Sequence, residues 1–460
     1  MKLTLAFIFT ILLPHTAVLA QGPLTPPSGA PAPTMKTLDQ VEPRVDIATL
    51  PSSTGSVGSQ HRIVESGSYY LSGDIFLEPG RTIALFVDAP HVTIDLNGFS
   101  IIATGSESDD TTGIRLGVAA EHITIKNGGI ANFDNGIERF VSSTSGGILR
   151  DLQISGTQNH AINLDDNYIV EHCIVRSSSG NGIRVRHGSA VRHCTVEGAT
   201  TQFGIRTGDH SYIEHCRVFN VSSARGIDAG DGVSLTYCIV EDSVNSDTAL
   251  FAGEDAMLAH CISRNNTTRY GIRVGDRAML SDTTSLGNTF NVSLNSYGIF
   301  TGEDSMLTRV SAIGTRNTAS VGIHRGAGIG AAMGSTVRYS TAVDNAGNGI
   351  AIGREGVIEH NLIRRNGRND NDAGAAGVYA SSFRSLIRNN HIVDNTIGIR
   401  IISWPNVVIG NTLRGNGTQF DISSNNRVGE IVTVPASGAI NGDSGGAGMG
   451  TTDPYANLSF

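Results

Sequence analysis

The chain has little of what builds an ordinary globular core. Aromatic residues make up 6% of its 460 residues and tryptophan occurs once, so any core must come from many small aliphatic contacts rather than a few large rings. No stretch carries apolar residues at i, i+3, i+4 and i+7 over the length of a helix, which excludes a helical bundle. Beyond residue 20 no run approaches the roughly 18 apolar residues of a membrane-spanning helix. Positive charge is scarce as well: 33 Lys and Arg face 42 Asp and Glu, a net charge of −9 with pI near 5.8. A nucleic-acid partner is therefore disfavoured, since phosphate neutralisation needs a basic surface. There is no Walker loop, no Gly-x-Ser-x-Gly and no dinucleotide fingerprint in a strand-to-helix setting, which removes the common nucleotide-binding and serine-hydrolase chemistries.

What is present is glycine, 56 residues of it, and repetition. The ends come first. Lys2, the apolar run Leu3 to Leu13 and the small-residue site Val18-Leu19-Ala20 predict a cleavable signal peptide over residues 1–20, and hence an exported protein, secreted, periplasmic or at the cell surface. Residues 21–61 hold Pro23, Pro26, Pro27, Pro31, Pro33, Pro43 and Pro51 among Gly, Ser and Thr, a composition that resists helix and sheet; they read as a tether passing into an N-terminal cap.

Between them and the Gly- and Ser-rich tail of residues 425–460, one phrase recurs. Gly182-Ile-Arg-Val, Gly204-Ile-Arg-Thr, Gly226-Ile-Asp-Ala, Gly271-Ile-Arg-Val, Gly298-Ile-Phe-Thr, Gly349-Ile-Ala-Ile and Gly398-Ile-Arg-Ile are its clearest copies. Most successive copies, diverged ones included, lie 21 to 23 residues apart, and longer steps mark inserted loops. A period of that size with insertions is the signature of a solenoid. The apolar beats are two or three residues long and separated by Gly, Asn, Asp and Ser, so each coil is read as short strands joined by turns.

These phrases, the ladder Asn361, Asn390 and Asn411, and the opening coils Gly67-Ser68-Tyr69-Tyr70-Leu71 and Val92-Thr93-Ile94-Asp95-Leu96-Asn97-Gly98 resemble the right-handed parallel β-helix superfamily. That is the fold of pectate lyases, polygalacturonases and alginate C5-epimerases, and of exported bacterial β-helix repeat proteins. The resemblance implies an all-β, single-stranded right-handed parallel β-helix of about a dozen coils over residues 62–424. It implies no particular activity, because one fold hosts many chemistries. The Gly-His-Gly, Asp-Pro-His-Glu and Arg-Pro-x-x-Arg patterns of the named enzyme families are missing.

In a parallel stack each position of the repeat becomes a column along the axis, with neighbours about 4.8 Å apart. Four columns stand out. Cys173, Cys194, Cys216, Cys238 and Cys261 are all the cysteines; their odd number and the rung spacing favour buried thiols over disulfides. His172, His193, His215, His260 and His360 form a second column, whose alternatives are a solvated turn and a transition-metal row. Asp166, Asp209, Asp231, Glu254, Asp276 and Glu303 form a third, mostly directly after Gly. Turn chemistry explains it, and so does a Ca²⁺ site at Asp209, Asp231 and Asp276, Ca²⁺ being the one cofactor the sequence suggests.

The fourth column is the outward residue of the phrase: Arg184, Arg206, Asp228, Phe251, Arg273 and Phe300. Exposed Arg alternating with aromatics suits an acidic polysaccharide, Arg pairing with the anion and the rings with sugar faces. Arg184, Phe251 and Phe300 are the expected substrate contacts. Arg206, Asp228, Asp231 and Arg273 are the candidate catalytic residues of a polysaccharide lyase, C5-epimerase or glycoside hydrolase. A non-catalytic surface or matrix protein binding glycans or partners along the same face is the alternative. If the face is catalytic, loops at Gly287 to Tyr297 and Arg365 to Ala376 are expected to wall it. The sequence sets no oligomeric state.

Overall fold

The computed structural model describes residues 44–52, 58–104, 110–139, 146–290, 296–317, 326–367, 374–433 and 452–460. The predicted signal peptide lies outside the described residues, as do most of the predicted tether and the centres of both expected wall loops.

The described residues are strands and turns, with one 3₁₀ turn at Ile47–Thr49 and no α-helix. No helix among them is long and apolar enough to cross a membrane. Every paired strand is parallel to its partner. Sixteen strands, from Ser59–Ile63 to Thr418–Ile422, stack in chain order into one sheet, the front sheet. A back sheet of thirty-two strands takes the two other strands of each coil. The solenoid thus has about sixteen turns, somewhat more than the dozen the phrases suggest. The surplus lies at the ends, where rungs such as Ile83–Val87 and Thr418–Ile422 lack the Gly-Ile phrase.

Short strands from both flanks join the stack. Arg44–Asp46 pairs with Gly67–Tyr70, and Asn457–Ser459 pairs with Thr412–Arg414. Both pairings cover strand edges that an open terminal coil would expose.

The interior is a set of ladders. The phrase isoleucines, such as Ile183, Ile205, Ile227 and Ile272, stack in register and are wholly buried. The preceding glycine is required by crowding rather than by its backbone angles: a Cβ on Gly204 would sit 2.5 Å from the Gly226 carbonyl oxygen and 2.5 Å from Val218 Cγ1. The cysteines form the lower part of one buried column, and all five are free thiols. Each Sγ lies against backbone carbonyls; that of Cys216 is 3.3 Å from the Glu214 oxygen and 3.4 Å from that of Val191. The contact with the neighbouring thiol, and then burial, hold the Cys173 and Cys238 thiols well above the ordinary thiol range. Farther along, the same column becomes polar. The Val310 amide donates to Ser340 Oγ, and the amides of Ser340, Asn361, Asn390 and Asn411 each donate to the Asn Oδ1 one rung on. Buried amide side chains are thereby satisfied.

The histidine column is a corner in the left-handed region. His172, His193, His215, Tyr237, His260 and His360 have φ between 51° and 57°, a conformation in which His, Asn and Asp are enriched among non-glycine residues. Their rings stack along the axis, with centroids 5.0 Å apart for His172 and His193, 4.9 Å for His193 and His215, 4.8 Å for His215 and Tyr237 and 4.7 Å for Tyr237 and His260. Tyr237, which looks like an interruption in the sequence, is a member of the stack.

Candidate functional site

The outward column of the front sheet runs in register through every rung, with Asn163, Arg184, Arg206, Asp228, Phe251, Arg273 and Phe300 on successive strands. All the outward residues predicted for this face therefore share one line. A second outward column lies beside it, made of the residue just before each phrase glycine: Phe203 pairs with Arg225, Arg225 with Thr248, Thr248 with Tyr270 and Tyr270 with Tyr297. Simple alternation hides this column, because the intervening glycine turns inward and the strand skips a position. The signal in the sequence is an aromatic residue or Arg immediately ahead of the glycine.

The two columns interlock. Asp228 is buried, and both its carboxylate oxygens are taken: Oδ2 lies 3.1 Å from Arg206 Nε, and Oδ1 accepts from Arg225 Nη1 at 2.5 Å. Arg225 also reaches Asp247 Oδ2 at 3.1 Å and lies 3.9 Å from the centre of the Phe251 ring. Arg206 lies over Phe203 at 4.7 Å, and Arg273 over Tyr270 at 5.1 Å and Phe251 at 5.9 Å. Tyr297 and Phe300 pack at 4.9 Å, and burial followed by the charge of Tyr270 raises the Tyr297 hydroxyl.

A groove of about 420 Å³ opens over this arrangement, lined by Arg184, Arg206, Arg225, Asp228 and Phe251 on its floor and by His187 and Asp209 on one wall. At its end Arg184 is half-buried. Its Nη1 donates to Asn163 Oδ1 at 2.7 Å, and among the described residues no carboxylate lies within ion-pair distance of it. Burial, then the charges of Arg206 and Arg186, hold its guanidinium below the ordinary arginine range.

The structure therefore brings Arg184, Arg206, Asp228, Phe251 and Asp209 into one groove and adds Arg225, with Asp247 and Phe203 behind it as partners of Arg225 and Arg206. Arg273 and Phe300 continue the same face beyond the groove. Asp231 lies apart from Asp228, on the exposed corner ridge, where its Oδ1 accepts the Glu254 amide at 2.9 Å. Asp209 accepts the Asp231 amide at 2.9 Å and Asp276 the Glu303 amide at 2.8 Å. The acidic column thus caps the backbone of the following rung. Among the described residues no group of three or more His, Cys, Asp or Glu is placed to hold a metal ion.

The family described as right handed beta helix region matches residues 170–312, the stretch that contains the groove. The fold is a right-handed parallel β-helix. Similar solved structures include the A-module of the mannuronan C-5 epimerase AlgE4 of Azotobacter vinelandii, at 14% identity and TM-score 0.37, covering 79% of this chain and 91% of that one. Tailspike protein 3 of bacteriophage CBA120 matches at 11% identity and TM-score 0.39, covering 85% of this chain and 62% of that one. The Agl-KA catalytic domain matches at 11% identity and TM-score 0.36, covering 87% and 70%. Similarity this distant says nothing of activity. No curated protein shows significant sequence similarity to the chain.

Proposed function

We propose that the chain is exported and binds an acidic polysaccharide along the outward face of its front sheet. One observation carries this reading: Arg184, half-buried in the groove, has a neutral amide for a partner where its neighbours Arg206 and Arg225 have carboxylates. A cation partly stripped of water and crowded by like charge is stabilised by an incoming carboxylate or sulfate, and guanidinium geometry suits a two-point contact. Phe251 and, farther on, Phe300, both partly exposed, offer apolar surface between the charged points, as a chain of sugar rings requires.

The test is a binding panel of polygalacturonate, polymannuronate, a sulfated glycan and neutral glucans. Wild-type protein should retain one or more of the acidic polymers, and Arg184→Ala should weaken that binding at least tenfold, corresponding to about 1.4 kcal/mol. Binding to none of the panel, or undiminished binding by Arg184→Ala, overturns the proposal.

A second reading is catalysis on the bound uronate, favoured by the Asp228–Arg225 pair on the groove floor, which Asp247 supports from outside the groove. Asp228, with one carboxylate oxygen on Arg206 and the other on Arg225, suits the role of a charge stabiliser that fixes both guanidiniums toward a bound uronate. The same panel separates the outcomes. Ultraviolet-absorbing unsaturated ends mark a lyase, new reducing ends a hydrolase, and altered uronate stereochemistry an epimerase.

A further inference from the structure

The ridge that walls the groove changes character along its length. Its acidic column, which ends at Glu303, continues in Met333, Arg354, Phe383 and Trp404. Backbone amides of Asp304, Gly334, Glu355 and Arg384 hydrogen-bond to Met333, Arg354, Phe383 and Pro405 respectively and carry the ridge from rung to rung. Arg354 Nε donates to Met333 Sδ at 3.0 Å, and the Arg354 and Arg384 guanidiniums lie 5.5 and 5.6 Å from the Phe383 ring centre. Phe383 is covered in this way. Trp404, the only tryptophan, is 59% exposed, and among the described residues no ring or guanidinium stacks on it.

Its backbone is tied down on both sides. The Ser403 carbonyl accepts from Asn406 Nδ2 and Asn426 Nδ2, each at 3.0 Å, and Asn406 Oδ1 accepts the Ser385 amide at 2.9 Å. An indole displayed on a pinned turn loses little conformational entropy when a ligand covers it, which is the property of a preorganised contact. Ile402 and Pro405 are exposed beside it, and three side chains on one turn make a smaller patch than the contiguous several hundred Å² that a protein partner needs. One indole matches the apolar face of one sugar ring.

We infer that Trp404 is a stacking platform for a sugar ring of the same polysaccharide, a second subsite on the ridge that starts at the groove. The strand preceding Trp404 lies six rungs beyond the last groove strand, or about 29 Å at the spacing of parallel strands. Only a polymer reaches both. The inference rests on the groove reading, and the two fail separately in the following experiment.

With one tryptophan, emission of the full chain reports this subsite alone. The polyuronate that binds best in the panel is compared with its own trisaccharide. The polymer should shift or quench the emission, while the trisaccharide binds by calorimetry and leaves the emission unchanged. Linking two contacts multiplies affinity, so Trp404→Ala should bind the polymer roughly tenfold or more weakly and the trisaccharide as wild type does. Trp404→Phe should restore most of the polymer affinity. Retained trisaccharide binding also shows that the variant is folded. If the polymer binds with no change in emission and Trp404→Ala binds it as tightly as wild type, the platform is refuted and the groove stands. If wild-type protein binds neither ligand, both proposals fall.

Discussion

Asn390→Ala should cost about 3–7 kcal/mol, a loss that can be worked out group by group. In the native chain Asn390 is buried, and its Oδ1 accepts from the Asn361 amide and from Asn361 Nδ2, each at 3.0 Å. Its Nδ2 donates to the Ile358 carbonyl and to Asn411 Oδ1, again at 3.0 Å each. Alanine leaves the Asn361 N–H without its side-chain acceptor and deprives the Ile358 oxygen of a donor, in an interior that water does not reach. Each stripped group costs about 1–3 kcal/mol, and the small void adds about 1 kcal/mol. Serine offers an internal calibration. Ser340 stands in the same column, accepts the Val310 amide at 3.2 Å and donates to the Arg338 carbonyl of its own rung. Asn390→Ser should therefore save the amide below and lose only the longer reach to Ile358, costing roughly half as much. Because each coil touches only its neighbours, the loss should be local. Urea unfolding gives the total, and hydrogen exchange should show the Asn361 amide and the coils toward the C-terminus opening first. Equal effects of Ala and Ser, or a loss below about 1 kcal/mol for Ala, would refute the argument that the ladder is held by satisfied amide pairs.

Three further outcomes are expected. Burial works to raise the Glu241 carboxyl, but the hydrogen bonds and charges of Arg264 and Arg217 outweigh it and hold it below the ordinary carboxylate range; its stabilisation is thus present above that range and lost as pH falls toward the native value. Glu241→Gln should flatten the acid limb of a stability-against-pH curve, and an unchanged limb counts against the pairing. All five cysteines should react with a maleimide in denaturant and none in the native protein, since disulfides are absent and every thiol is buried; a shortfall in denaturant would mean a crosslink. Gly204→Ala should destabilise by about 1–3 kcal/mol, the usual cost of overpacking, because the new methyl meets a backbone oxygen that cannot move aside; urea unfolding at wild-type stability would mean that the rungs can separate there.

The columns were legible in the sequence because parallel stacking converts a position in a repeat into a position in space. Arg184, Arg206, Asp228, Phe251, Arg273 and Phe300 needed only the phrase and the alternation of a strand to be placed on one face. Arg225, Phe203 and Tyr270 escaped because the phrase glycine breaks that alternation, pressed inward by the carbonyl of the next coil. Asp231, which its position after Gly230 assigns to the turn beside Asp228, stands on that turn, with its Oδ1 taken by the Glu254 amide. The histidines suggested a metal row or a wet turn. What selects them is a left-handed corner with room for a flat ring, a backbone property that composition alone does not reveal. The first and last coils were undercounted for a related reason: near the ends the core is filled by residues such as Leu85 and Phe420, without the glycine that marks the middle.

A solenoid with strict register is also a ruler graduated in coils. The separation of the groove from Trp404 is a whole number of strand spacings, and inserted loops leave it unchanged because they leave the stack. Excising one complete coil between them would shorten the span by a single graduation and preserve every interior ladder. The length of polymer that bridges the two subsites is therefore a count written into the gene, open to change by duplication or loss of about 22 codons at a time.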